Sequence, residues 1–89
     1  MKLVSQTRQF AKDLKRMRKR GKDLERIKEV VSELAQGNAP GLKFRDHALL
    51  GEWKDCRNCH IEPDWVLIYS TDDESLRLIR TGTHSDLFD

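Results

Sequence analysis

No apolar run in this chain approaches the roughly 20 residues needed to span a membrane. The opening Met1-Lys2-Leu3-Val4-Ser5-Gln6 lacks the apolar stretch of a signal peptide, so the expected compartment is the cytoplasm. Cysteine occurs only at positions 56 and 59. A structural zinc needs four ligands, and Cys56, Cys59 and His60 leave the set one short. Cys56-Arg57-Asn58-Cys59-His60 does match the C-x-x-C-H pattern of covalent haem attachment. That chemistry belongs outside the reducing cytoplasm. The segment also reads as part of a strand, where neighbouring side chains point to opposite faces. A dithiol redox pair lacks its βαβ context. Two reduced thiols in a strand, with no metal and no cofactor, are the expectation. There is no repeat, no low-complexity tract and no sign of a second domain, so residues 1–89 read as one domain.

What is abundant is charge. The chain has 89 residues, 37% hydrophobic and 36% charged, with a net charge of +2. Residues 1–46 carry 13 Lys/Arg against 6 Asp/Glu, a net +7. Residues 47–89 carry 4 against 9, a net −5. A basic first half is a candidate footprint for a polyanion such as RNA, or simply a solvated helix face.

The pattern predicts an α+β domain. Residues 2–6 alternate as a short strand. Thr7 can cap a helix carrying Phe10, Leu14 and Met17 on one face, and Gly21 can end it. A second helix places Leu24, Ile27, Val31 and Leu34 on one face and stops at Gly37-Asn38-Ala39-Pro40-Gly41. This two-helix hairpin must bury its apolar stripes against something, and the sheet is the candidate. Residues 53–61, 65–69 and 76–80 read as strands joined by short turns, an antiparallel meander. Trp53, Leu67, Ile68 and Leu78 are expected in the core.

Three histidines fall in the second half. His47 lies in Arg45-Asp46-His47, His60 opens His60-Ile61-Glu62-Pro63-Asp64-Trp65, and His84 closes Arg80-Thr81-Gly82-Thr83-His84, with Phe88 soon after. They read as loop or strand-end positions. Imidazoles move protons near neutral pH, and arginine holds a phosphate that gains charge. That inventory suits cutting RNA without a metal. Asp64 could equally be a turn residue, and Trp65 could equally be core.

The ordered set of His47-Ala48-Leu49-Leu50-Gly51-Glu52-Trp53, Arg57, residues 60–69 and residues 80–88 resembles the YafQ branch of the RelE/ParE toxins of type II toxin–antitoxin pairs. The resemblance spans nearly the whole chain, including the basic hairpin. It implies a compact ribonuclease-like fold and cleavage of translated mRNA on the ribosome. It implies a cognate antitoxin that covers the site, and a toxin that is monomeric alone. Carried over, the active-site set falls on His47, His60, Asp64, Trp65, Arg80, His84 and Phe88. On that reading His84 is the general acid and His47 the general base, with His60 and Asp64 tuning or sharing the base role. Arg80 clamps the scissile phosphate, and Trp65 and Phe88 stack on or wall in a base. Lys12, Lys15, Arg16, Lys19, Arg20 and Lys22 would meet ribosomal RNA phosphates or an acidic antitoxin. The alternative is a non-enzymatic toxin of the ParE kind that binds DNA gyrase, which needs no acid–base groups.

Overall fold

A computed structural model describes residues 1–39, 41 and 44–88. The first element is strand β1 (Leu3–Gln6), followed by helices α1 (Arg8–Lys19) and α2 (Leu24–Ala35). Thr7 caps α1 as expected. Its Oγ1 accepts the Phe10 N–H at 2.9 Å, and its hydroxyl donates to the Ile79 carbonyl at 2.7 Å. Both helices end at a glycine in the left-handed region, Gly21 (φ +84°) and Gly37 (φ +86°), where an L side chain would be strained. Pro40, in the expected stop, lies outside the described residues.

The strands that follow are β2 (His47–Ala48), β3 (Arg57–Glu62), β4 (Trp65–Thr71) and β5 (Ser75–Gly82), with a terminal helix α3 (His84–Phe88). They form a five-stranded sheet in the order β1-β5-β4-β3-β2. The antiparallel meander of β3, β4 and β5 is as expected. One edge differs from a purely antiparallel sheet, because β1 pairs with β5 in parallel, Leu3 opposite Ser75 and Gln6 opposite Leu78. A parallel neighbour needs a long crossover, and the helical hairpin together with β2 to β4 supplies it.

A second difference lies before β3. Residues 51–53 form a single 3-10 turn, and the strand begins at Arg57. Asp55 (φ +70°) takes a left-handed conformation, which an extended strand from Trp53 would not allow. Cys56 therefore lies outside the strand.

Strand β4 is buried on both faces. Trp65, Leu67 and Tyr69 join Phe10, Met17, Ile27, Leu34, Leu76 and Leu78 in the main core beneath the hairpin. Val66 and Ile68 join Leu87 in a smaller core on the other face, flanked by Leu49, Trp53, Cys56 and Ile79. Each fully buried large side chain contributes about 1.5–3 kcal/mol, so the hairpin-side core dominates stability. The smaller core is the floor on which the histidines stand. The two cysteines fall on opposite sides of this division, Cys59 in the main core and Cys56 in the smaller one, and neither is bonded to another cysteine. Burial pushes the Cys59 thiol up to about 12 and also raises Cys56, so both stay protonated and weakly reactive.

Candidate active site

Cross-strand register assembles the site. His47 pairs with Asn58, Asn58 with Ile68, and Ile68 with Arg80. One pleat along, His60 pairs with Val66, and Val66 with Gly82. Directly paired residues project to the same side of a sheet. His47 and His60 therefore share the face of Val66 and Ile68, opposite the hairpin. His84 enters from the far end as the first residue of α3.

The three imidazoles form a row. The His47 and His60 ring centroids lie 6.1 Å apart, and those of His60 and His84 5.4 Å apart. Phe88, one helical turn after His84, continues the row at 6.0 Å, and Trp53 meets Phe88 edge-on at 6.4 Å. The Phe88 ring is exposed and free to face a ligand.

Each imidazole has a different setting. His47 is exposed, and its Nδ1 lies 2.9 Å from the Arg45 carbonyl. A carbonyl only accepts, so Nδ1 carries the hydrogen and Nε2 is left with the lone pair. His84 Nδ1 lies 2.7 Å from Asp64 Oδ1, which also accepts the His84 backbone N–H at 3.1 Å. These bonds hold Asp64 below the usual carboxylate range, so it stays ionised, fixes the Nδ1–H tautomer and aims Nε2 outward. His60 sits between them, 8% exposed, not in a loop but inside β3 beside a bulge. Burial lowers its pKa, helped by the neighbouring Arg45 charge, so it is neutral at pH 7. Asp64 was expected on the base side of the reaction. The structure places it on His84 instead.

Arg80 stands at the other end of the row from His47, three strand spacings or about 14 Å away in the backbone. Its Nε donates to Asp13 Oδ2 at 2.6 Å and Nη2 to Oδ1 at 3.2 Å. Asp13 also accepts from the Thr81 N–H, Gln9 and Arg16. Arg80 is thus pre-positioned by a buried carboxylate from α1 and lies nearer to His84 than to His47 in register.

Trp65 is the clear correction. It is completely buried, with Nε1 donating to Thr81 Oγ1 at 2.9 Å, and it offers no face to a base. Trp53, read as core, is partly buried against the smaller core and meets Phe88 there. Among the basic residues, Arg16 pairs with Asp13 and Arg20 with Asp86 at 2.7 Å, so both brace the site's supports. Lys15 and Lys19 are exposed on α1.

Two supporting residues escaped the sequence reading. Asp13 falls within the Phe10, Leu14, Met17 stripe, and an acid inside an apolar stripe of a basic helix was the available signal. Asp86 caps α3. The Thr83 N–H donates to its Oδ2 at 2.9 Å, and the Asp86 N–H donates back to Thr83 Oγ1 at 3.2 Å. The Thr83-x-x-Asp86 spacing announces that reciprocal cap. Gly82 makes room for it, since a Cβ there would meet the Asp86 side chain at 3.0 Å. The Arg20 guanidinium holds the Asp86 carboxyl well below its ordinary value. Among the described residues no cluster of three His, Cys, Asp or Glu is arranged to hold a metal ion.

Comparison with known proteins bears on this geometry. Residues 2–89 match the family described as the bacterial toxin of type II toxin–antitoxin system, YafQ. The chain is 44% identical over 81 residues to the mRNA interferase toxin YafQ of Escherichia coli, covering 90% of this chain and 88% of that one. The crystal structure of YafQ from an E. coli strain superposes with a TM-score of 0.94 at 39% identity over the full length of both chains. The toxin in the E. coli DinJ–YafQ toxin–antitoxin complex superposes at 0.92 with 40% identity, covering 99% of this chain and 98% of that one. A full-length family match, with close relatives in sequence and in structure, makes this chain a member of the YafQ family of type II toxin–antitoxin toxins.

Proposed function

We propose that this chain is a metal-independent endoribonuclease that cleaves translated mRNA on the ribosome and so inhibits translation. The observation that carries the reading is the histidine row, with the imidazole at each end held through Nδ1 so that Nε2 is left for proton transfer. RNA cleavage by its own 2′-hydroxyl needs a base for that proton, an acid for the departing 5′-oxygen, and charge stabilisation for the phosphorane. Each positioned proton transfer is worth about 10²–10⁴-fold. His47, with Nε2 unprotonated, suits the base. His84, oriented by ionised Asp64 through Nδ1–H, suits the acid in the form that also carries a proton on Nε2 for the leaving oxygen, so Asp64 serves the acid side. His60, neutral and enclosed between them, accepts hydrogen bonds at the centre of the site rather than supplying charge. Arg80, held by Asp13, faces the phosphate from the His84 end. Phe88, with Trp53 behind it, stacks on a base. Lys15, Lys19 and their basic neighbours supply salt-dependent affinity for ribosomal RNA phosphates.

The relatives' names support this reading, since the E. coli protein is called an mRNA interferase and is found in complex with DinJ. A cognate antitoxin is accordingly the partner we expect, on a toxin that is monomeric alone and acts in the cytoplasm. Among the described residues no helix is long and apolar enough to cross a membrane. A gyrase-binding toxin of the ParE kind is the competing reading, and it has no use for three aligned imidazoles. The deciding experiment is 5′-end mapping of cellular mRNA after brief induction, wild type beside His84→Ala. New cuts within translated frames, absent in the variant, support the ribonuclease. Growth arrest without new cuts refutes it.

A further inference from the structure

His47 stands on the least supported element of the sheet. Strand β2 is two residues long and lies at an edge, paired only through His47 with Asn58 and Ala48 with Arg57. So short a ladder cannot by itself hold a catalytic side chain to the sub-ångström tolerance that proton transfer requires. The residue just before it is anchored on the other side of the sheet. Asp46 Oδ1 accepts from Arg57 Nε at 2.6 Å, and Asp46 Oδ2 accepts from the Tyr69 hydroxyl. Arg57 and Tyr69 are direct cross-strand partners, and Tyr69 belongs to the hairpin-side core. Both carboxylate oxygens are therefore engaged by two strands that are themselves fixed.

The preceding residue shows what this anchor holds in place. Arg45 adopts φ +48°, a left-handed conformation that non-glycine residues keep only where the surroundings impose it. Its carbonyl, turned by that conformation, is the group that accepts from His47 Nδ1 and so leaves the lone pair on Nε2.

We propose that Asp46 is a positioning residue for the cleavage reaction: clamped by Arg57 and Tyr69 on the hairpin side of the sheet, it holds the Arg45–His47 turn so that His47 presents Nε2 to the histidine row on the opposite side. The proposal rests on the ribonuclease reading above. Alternation along the extended segment links the two sides, because successive residues project to opposite faces.

The test uses Tyr69→Phe, which keeps the ring in the core and removes one anchor, and Asp46→Asn, which keeps the shape and removes the charge. Cleavage is followed on mRNA-programmed ribosomes, and the His47 ring tautomer is read by ¹⁵N NMR of the free toxin. The expected result is a fall in kcat of about 10-fold or more with KM unchanged, since misplacement by about 1 Å can cost on the order of 100-fold. The acidic limb of the pH–rate profile should shift, and the His47 ring nitrogens should move towards a mixture of tautomers. A wild-type kcat and pH profile in both variants would overturn the proposal. So would a loss of kcat with the His47 signals unchanged, because that loss would come from elsewhere. If the wild type cuts no RNA, the ribonuclease reading fails, and the ring signals alone decide whether Asp46 positions His47.

Discussion

Replacing Asp13 by alanine should be the most damaging single polar substitution in the molecule. The carboxylate is 1% exposed and accepts from Gln9, Arg16, the Thr81 N–H and two nitrogens of Arg80. Its removal leaves the buried Thr81 N–H without an acceptor, a cost of about 1–3 kcal/mol. It also breaks a buried ion pair, for which about 3–5 kcal/mol is usual. The second figure must be discounted, because the Arg80 side chain is 23% exposed and can turn partly to water. We expect about 3 kcal/mol in all, set against a total stability of about 5–15 kcal/mol for a domain of this kind. For a chain of this length that lowers Tm by roughly 12–24 °C. Asp13→Asn keeps an acceptor but loses the charge, and should fall between wild type and alanine. Urea unfolding followed by circular dichroism measures both. An Asp13→Ala midpoint equivalent to less than about 1 kcal/mol from wild type would refute the claim that this carboxylate ties α1 to β5.

Three further outcomes are expected. His60 has a folded pKa below its unfolded value of about 6.5, so between the two the unfolded chain binds more protons. Stability is therefore full above about pH 6.5 and declines as pH falls through that value. Urea midpoints at pH 7.5 and 5.5 should show the decline in wild type and a smaller one in His60→Gln; equal slopes would contradict it. Asp64→Asn should reduce cleavage about 10-fold or more, within the range of one proton-transfer role, while leaving the urea midpoint unchanged, because Asp64 is 69% exposed on the surface. A variant with full activity would remove Asp64 from the chemistry. Trp65→Phe should cost about 1–3 kcal/mol, through the lost bond to Thr81 and the space left behind, and should change activity only through that instability. Loss of cleavage in a variant of wild-type stability would restore Trp65 to the substrate.

How much of this was legible in the sequence depends on which physical signal each part left. Helix ends were readable, because Thr7, Gly21 and Gly37 act through local backbone chemistry that their residue types announce. The meander was readable from alternation and turn residues. The parallel pairing of β1 with β5 was not, since that contact joins residues about seventy positions apart and leaves no mark in a local pattern. The three histidines could be named from the residues and the family likeness, yet their order in space came from cross-strand register. Trp65, offered as either core or a stacking surface, was settled as core for the same reason. An indole fits a core or a ligand-facing wall equally well, and only the face on which it lands decides. The sequence reading puts Asp64 beside His60 on the base side, because they lie close in the chain, while the turn carries its carboxylate to His84.

Strand β4 gives the molecule two independent ways to lose toxicity. Trp65, Leu67 and Tyr69 pack under the hairpin, whereas Val66 and Ile68 form the floor beneath the histidines. A saturation scan across these five positions, scored both for growth rescue and for soluble protein, would read the pleat as a phase. Survivors at odd-numbered positions should have lost the protein itself. Survivors at the two even-numbered positions should include folded chains that no longer arrest growth, and those are the ones an antitoxin could still capture.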